Sequence, residues 1–262
     1  MPYRIDIVSP SGEAFDQLME LGALNVDLRG DDLSAILPDA VTPDRVATAL
    51  RVATVTMSPA VARDNGSVWI LSPRAVRIGS ILIAPADTKA PRGALRLTDS
   101  AAFGTGHHPT TALCIEALEE AVRLAPHGVL DVGTGSGVLA LSALIMGVPH
   151  ATGVDIDPDA LEAAAEHARL NDLADRFELA LGGPEAVRGQ SPLVVANVLA
   201  APLIEMAPIL VRRVANRGRL ILSGIPQSLE ADVRSAYQRL GMRHIDSATR
   251  AGWVVVVFQA SW

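Results

Sequence analysis

A chain of 262 residues, 49% of them hydrophobic, has material for one large or two modest domains, each with a buried core. Its lone cysteine, Cys114, excludes a disulfide framework and a zinc site built on thiolates. The opening MPYRIDIV has no signal-like apolar core and no stretch approaches the ~18 uncharged apolar residues of a spanning helix, so a cytoplasmic protein without membrane contact is expected. The net charge of −7 is uneven, with −5 over residues 1–57, +3 over 58–100 and −5 over the remainder. An acidic N-terminal region is a poor footprint for nucleic acid. It reads as a solvated surface or as a seat for a basic protein, and no direct nucleic-acid binding is expected.

In chain order, residues 3–8 alternate as a strand and residues 12–21 carry Phe15, Leu18, Met19 and Leu21 at helical spacing. Residues 25–28 and 33–37 read as a hairpin turning at Asp31 and Asp32, residues 43–50 as a second helix, and 53–57 as a fourth strand. The order βαββαβ predicts a small ferredoxin-like domain over residues 1–57. Residues 58–94 hold Pro59, Gly66, Pro73, Gly79, Pro85, Pro91 and Gly93, a density that forbids long helix. They read as a linker with short strands at 68–71 and 80–83. From residue 95 to 262 the pattern alternates. A helix over 109–124 leads to strands near 129, 151, 177, 193, 219, 243 and 253, with helices near 136, 158, 200 and 227 between them. The last two strands are separated by a short turn at 250–252, so one antiparallel strand should join an otherwise parallel sheet.

The most informative stretch is 129–158, VLDVGTGSGVLALSALIMGVPHATGVDIDP, a strand, glycine loop, helix, strand and acidic tip. Gly133, Gly135 and Gly137 let the backbone turn and approach a ligand, and the following helix points its N-terminus at it. About twenty residues on, Asp155 ends the second strand, where a carboxylate can hold both hydroxyls of a ribose. The dinucleotide fingerprint needs a third glycine at position 138, which is Val138. The order here is Asp131, Gly133, Gly135, Gly137, which resembles the first motif of the seven-strand S-adenosylmethionine (SAM) methyltransferases.

Two further motifs narrow the reading. Residues 103–111, FGTGHHPTT, stand before the helix that leads into the cofactor strand, and Thr110 and Thr111 lie at its N-terminus, where hydroxyls can cap N–H groups or reach a carboxylate. His107 and His108 are adjacent and have no third ligand in sight, so no metal is expected. Asn197, in LVVANVLAAPL, stands at the carboxyl end of the fourth strand, either as a ligand-facing residue or as a strand-end turn residue.

AAFGTGHHPTT, LDVGTGSGVLALSA, GVDIDPDALEAA, VVANVLAAPLIEMAP and GRLILSGI together resemble the ribosomal protein L11 methyltransferase family over nearly all of residues 95–262. The resemblance implies an α/β seven-strand methyltransferase domain behind a ferredoxin-like substrate domain, SAM as cofactor, and methylation of lysine side chains and an N-terminal α-amine of a ribosomal protein. Two departures lie outside the cofactor motifs. Residues 98–102 are TDSAA where the family has an acidic residue, Pro, Gly and Met, and Trp69 is the one tryptophan of a segment that is usually Trp-rich. The candidate cofactor-binding residues are Thr105, Gly106, Thr111, Asp131, Gly133, Gly135, Gly137, Asp155, Ile156 and Asn197. The candidate catalytic residues are Asn197 and Phe103. A neutral carboxamide at 197 can accept a hydrogen bond from an amine without holding it as ammonium, and Phe103 can cover the site and exclude water. The expected partner is a protein substrate, L11, met by a monomer. The alternatives are a methyltransferase for another protein or a small molecule, and a SAM-binding interaction module without activity.

Overall fold

The computed structural model describes residues 3–8, 13–23, 25–29, 32–38, 40–51, 56–59, 62–63, 68–69, 75–98 and 108–262. The chain forms two compact units, residues 1–73 and 74–262.

In the first unit, β1 (Tyr3–Val8), α1 (Ala14–Glu20), β2 (Asn25–Arg29), β3 (Asp32–Leu37), α2 (Pro43–Leu50) and β4 (Thr56–Pro59) follow one another. The sheet runs β2-β3-β1-β4 with every pairing antiparallel, the order of a ferredoxin-like unit. Alternation along β1 buries Ile5 and Ile7, as are Phe15 and Leu18 of α1 and Val46 and Leu50 of α2. Opposite registers on the other face bring Asp6 to Ser34, whose hydroxyl donates to the Asp6 carboxylate at 2.5 Å, with Arg4 completing the cluster at 2.7 Å. Thr42 caps α2, its Oγ1 accepting from Arg45 N at 3.4 Å, and Pro43 starts the first turn. A two-residue pair, β5 (Ala62–Arg63) with β6 (Val68–Trp69), follows.

The second unit opens on a three-stranded sheet of β7 (Val76–Ile78), β8 (Ile81–Pro85) and β9 (Leu95–Leu97). These strands lie largely inside the stretch that composition marks as linker, yet Ile78, Ile81, Ile83, Leu95 and Leu97 are buried in the same core as the helices that follow. Proline and glycine density forbids long helix there, but not short strands that pack.

Next come α3 (Pro109–Val122), β10 (Gly128–Val132), α4 (Val138–Ile145), β11 (His150–Asp155), α5 (Pro158–Leu170), β12 (Phe177–Leu181), β13 (Ser191–Asn197), α6 (Ala200–Arg213), β14 (Val214–Pro226), α7 (Glu230–Arg239), β15 (Met242–Arg250) and β16 (Trp253–Ala260). The seven strands order as β12-β11-β10-β13-β14-β16-β15, parallel except for β16, which runs antiparallel between β14 and β15. Both faces are covered. Val129, Leu193, Val195, Ile221 and Val255 face a core shared with α3, α4 and α5. Their neighbours Leu130, Val194, Leu220, Leu222, Val254 and Val256 face the core of α6 and α7. This two-sided burial is why the strands read as continuous apolar runs. β14 begins at Val214 rather than near 219, and the helix expected near 227 opens as a single 3-10 turn, Gln227–Leu229, before α7. The sheet reverses its winding between β10 and β13, and ligands of open α/β sheets collect in the crevice at the carboxyl ends of such a pair.

Candidate functional site

Asp131, the penultimate residue of β10, is fully buried and holds the glycine turn from beneath. Its Oδ2 accepts from Thr134 Oγ1 at 2.9 Å and from the Ala140 amide, in the first turn of α4, at 3.2 Å. Its Oδ1 is buried with no partner among the described residues. Burial pushes this carboxyl up to about 7, against the pull of the Thr134 and Ala140 hydrogen bonds and with a small push from Asp155. Burial and the Asp131 charge likewise keep the neighbouring Cys114 thiol protonated, which leaves the single cysteine as core.

Gly133, Gly135 and Gly137 all take left-handed φ values of 71, 53 and 78°. Gly137 caps α4, so the helix starts at Val138 rather than near 136. At Gly133 space matters as well as φ: a Cβ there would stand 2.5 Å from Val198 Cγ1. Gly224 on β14 (φ 83°) meets the same residue from the other side, where a Cβ would collide with the Val198 carbonyl. The turn after β13 is thus seated between the ends of β10 and β14.

Asp155 ends β11 beside that loop. Its Oδ2 accepts from Gly135 N at 2.9 Å and its Oδ1 from Asp157 N at 3.1 Å. Each carboxylate oxygen has capacity for a further donor. Ile156 follows at 80% exposure, an apolar face left open among the described residues. Asn197 ends β13, one strand over from Asp131, and its Oδ1 is buried without a partner among the described residues. Thr111, in the first turn of α3, is fully buried and its Oγ1 is unpartnered in the same sense. The structure therefore brings Asp131, the three glycines, Asp155 and Asn197 to the carboxyl ends of three neighbouring strands. Phe103, Thr105, Gly106 and His107 lie outside the described residues.

Capping of α3 falls to His108 rather than to a threonine. The His108 Nδ1 stands 3.3 Å from Thr110 N and 2.7 Å from Thr110 Oγ1, and its ring meets Trp253 edge-on at 5.2 Å. Burial lowers this imidazole to about 4, so it is neutral at physiological pH. No cluster of three metal-ligating side chains occurs among the described residues. The His-Pro step at a helix start is a cap signal that sequence reading could have used. The Trp253 contact joins residues far apart in sequence and leaves no local pattern.

The residues present fit SAM on this geometry. The buried carboxylate oxygen on Asp131 that has no partner among the described residues suits an ammonium, the Thr111 hydroxyl, likewise without one, suits a carboxylate, and Asp155 over Gly135 suits a vicinal diol beside the apolar face of Ile156. A doubly wound sheet in this strand order, with an acidic residue and glycine turn after its central strand and a second acid on the next, defines the SAM-dependent methyltransferase class.

A family model described as ribosomal protein L11 methyltransferase (PrmA) matches residues 46–261, and the chain belongs to that family. A ribosomal protein L11 methyltransferase of Myxococcus xanthus is 32% identical, with 97% of this chain and 96% of the relative covered. One from Chromohalobacter salexigens is 43% identical over 76% of this chain and 67% of its own length. The crystal structure of a ribosomal protein L11 methylase from Lactobacillus delbrueckii subsp. bulgaricus superposes with a TM-score of 0.67 at 27% identity, covering 72% of this chain and all of that one. No helix among the described residues is long and apolar enough to cross a membrane.

Proposed function

We propose that this enzyme methylates amines of ribosomal protein L11, at lysine side chains or the N-terminal α-amine, acting as a cytoplasmic monomer that does not bind nucleic acid directly. Bound SAM supplies a methyl group already activated by its sulfonium, so the protein's task is to deliver a neutral amine in line with it. Holding an amine of pKa about 10.4 in its neutral form near pH 7 costs roughly 4 kcal/mol, and removal from water lowers that cost because burial disfavours the charged form. The single observation that carries the reading is the buried Asn197 Oδ1 at the end of β13, which has no partner among the described residues. It accepts an N–H from the amine and, being uncharged, does not hold the ammonium. Thr105, Gly106, Thr111, Asp131, the three loop glycines, Asp155 and Ile156 hold the cofactor, and Phe103 covers the amine and excludes water. Catalysis is then positioning and desolvation.

Substrate recognition is assigned to the N-terminal unit, whose residues 1–57 carry a charge of −5 suited to a basic protein. The test is incubation with labelled SAM and purified L11, followed by peptide mass spectrometry. Label on lysines or the N-terminal amine is expected. Full activity toward other proteins with none toward L11 would discard the substrate while leaving the chemistry in place.

A further inference from the structure

Two segments that feed the carboxyl end of the sheet meet on one buried imidazole. His167, in the last turn of α5, is wholly shielded from solvent. Its Nδ1 stands 2.7 Å from the carbonyl oxygen of Ser136, in the middle of the glycine loop, and its Nε2 stands 2.9 Å from Thr98 Oγ1. A carbonyl only accepts, so Nδ1 carries the proton. In the neutral ring Nε2 is then the acceptor and the Thr98 hydroxyl donates. One turn further on, Asn171 grips the same strand, its Oδ1 accepting from Arg96 N at 2.8 Å and its Nδ2 donating to Arg96 O and to His167 O at 2.7 Å. Thr98 is the residue from which the chain enters 99–107, the sequence that carries Phe103, Thr105 and Gly106.

We propose that His167 is a positioning residue that fixes the end of β9 to the glycine loop, so that the loop meets SAM already held in register. A histidine that merely filled the core would not need two partners 31 and 69 residues away, each beside a different motif. Here both ring nitrogens are spent on bridging, and loss of either partner leaves a buried polar atom unpaired. Without the bridge, SAM binding bears the cost of bringing the glycine loop and the end of β9 into register, and affinity falls by that cost. The inference rests on the SAM-dependent reading of the site.

Calorimetry with SAM on the full chain tests it. Asparagine keeps a donor near the Nδ1 position but cannot reach Thr98, so His167→Asn and Thr98→Val remove the same contact. Each should weaken SAM about five- to tenfold, the size of one hydrogen bond, while kcat at saturating SAM stays within about twofold. The double variant should bind no more weakly than the single variants, and Thr98→Ser should bind like the wild type. Variants that melt lower but keep wild-type affinity would reduce His167 to a core residue. Losses that multiply in the double variant would show that the two residues act separately. Should His167→Asn fail to fold, the serine and valine variants at 98 decide alone, and equal affinities would overturn the bridge. A wild type that does not bind SAM would remove the methyltransferase reading and this inference with it, whereas tight wild-type binding with uncoupled variants removes only the inference.

Discussion

At the ends of β10 and β11 the carboxylate oxygens are committed inside the protein with one exception, Asp131 Oδ1, which has no partner among the described residues. Asp131 Oδ2 is divided between Thr134 and Ala140, both Asp155 oxygens take backbone amides, and the Ser136 carbonyl receives the His167 ring. One strand away, at the end of β13, Asn197 Oδ1 is buried with no partner among the described residues, and Leu199 two positions on is 65% exposed. The glycine-loop side of the donor half is assembled before anything binds, so little ordering is left there for the cofactor to impose. On the proposed reading, the acceptor half is completed by an incoming N–H at Asn197. Affinity for SAM and rate of transfer should therefore respond to different residues.

The largest expected effect tests how much strain the donor half tolerates. Asp131 titrates near 7 in the fold against 3.8 ordinarily, so folding favours its neutral form. The stability this confers is full below the ordinary value and is lost as pH climbs toward 7, by about 4 kcal/mol for about three pK units. Asp131→Asn keeps an acceptor for Thr134 and Ala140 and removes that slope. In ligand-free thermal unfolding the wild type should melt on the order of 10 °C lower at pH 8 than at pH 5, and the variant should lose most of that difference. Equal slopes in the two proteins would move the buried charge elsewhere.

Next in size, Asn197→Asp should cut kcat at pH 7 by about a hundredfold, or ~2.7 kcal/mol, and leave SAM affinity within about threefold. The added carboxylate raises the pKa of the amine, so the rate of the variant should climb to a midpoint above that of the wild type, and the two should converge at high pH. Initial rates between pH 7 and 10 check this. A wild-type midpoint with a wild-type rate would return Asn197 to a turn residue. Smallest is Asp155→Ala, expected to weaken SAM by about 1 to 3 kcal/mol with little change in kcat at saturation, measured by calorimetry and saturation kinetics. If kcat fell and affinity held, the division between the two halves would be drawn in the wrong place.

What sequence makes legible is whatever is encoded locally. The strands at 129, 151 and 193 announce themselves because both faces are buried, and the helix starts at Thr42-Pro43 and Asp157-Pro158 carry cap and proline together. The glycine spacing selects SAM over a dinucleotide because Val138 stands where a third glycine would be needed. β7 and β9 are hidden by the proline and glycine around them, since three-residue strands have too few positions to show a period. The bridges from His167 to Thr98 and from His108 to Trp253 are equally invisible. Each joins side chains remote in the chain, and only the finished packing shows which histidine finds which partner.

Val198 acts as a shim. Its side chain rests where a Cβ on Gly133 would go, and its backbone rests where a Cβ on Gly224 would go. The clearance between the donor loop and the acceptor strand is thus set by three positions jointly, and none can grow unless another shrinks. A redesign for bulkier amines that widened the cleft at 198 would loosen the glycine turn as well, and drift at Gly133 would register at Asn197, next door to the shim. Substrate range and cofactor grip share one mechanical tolerance.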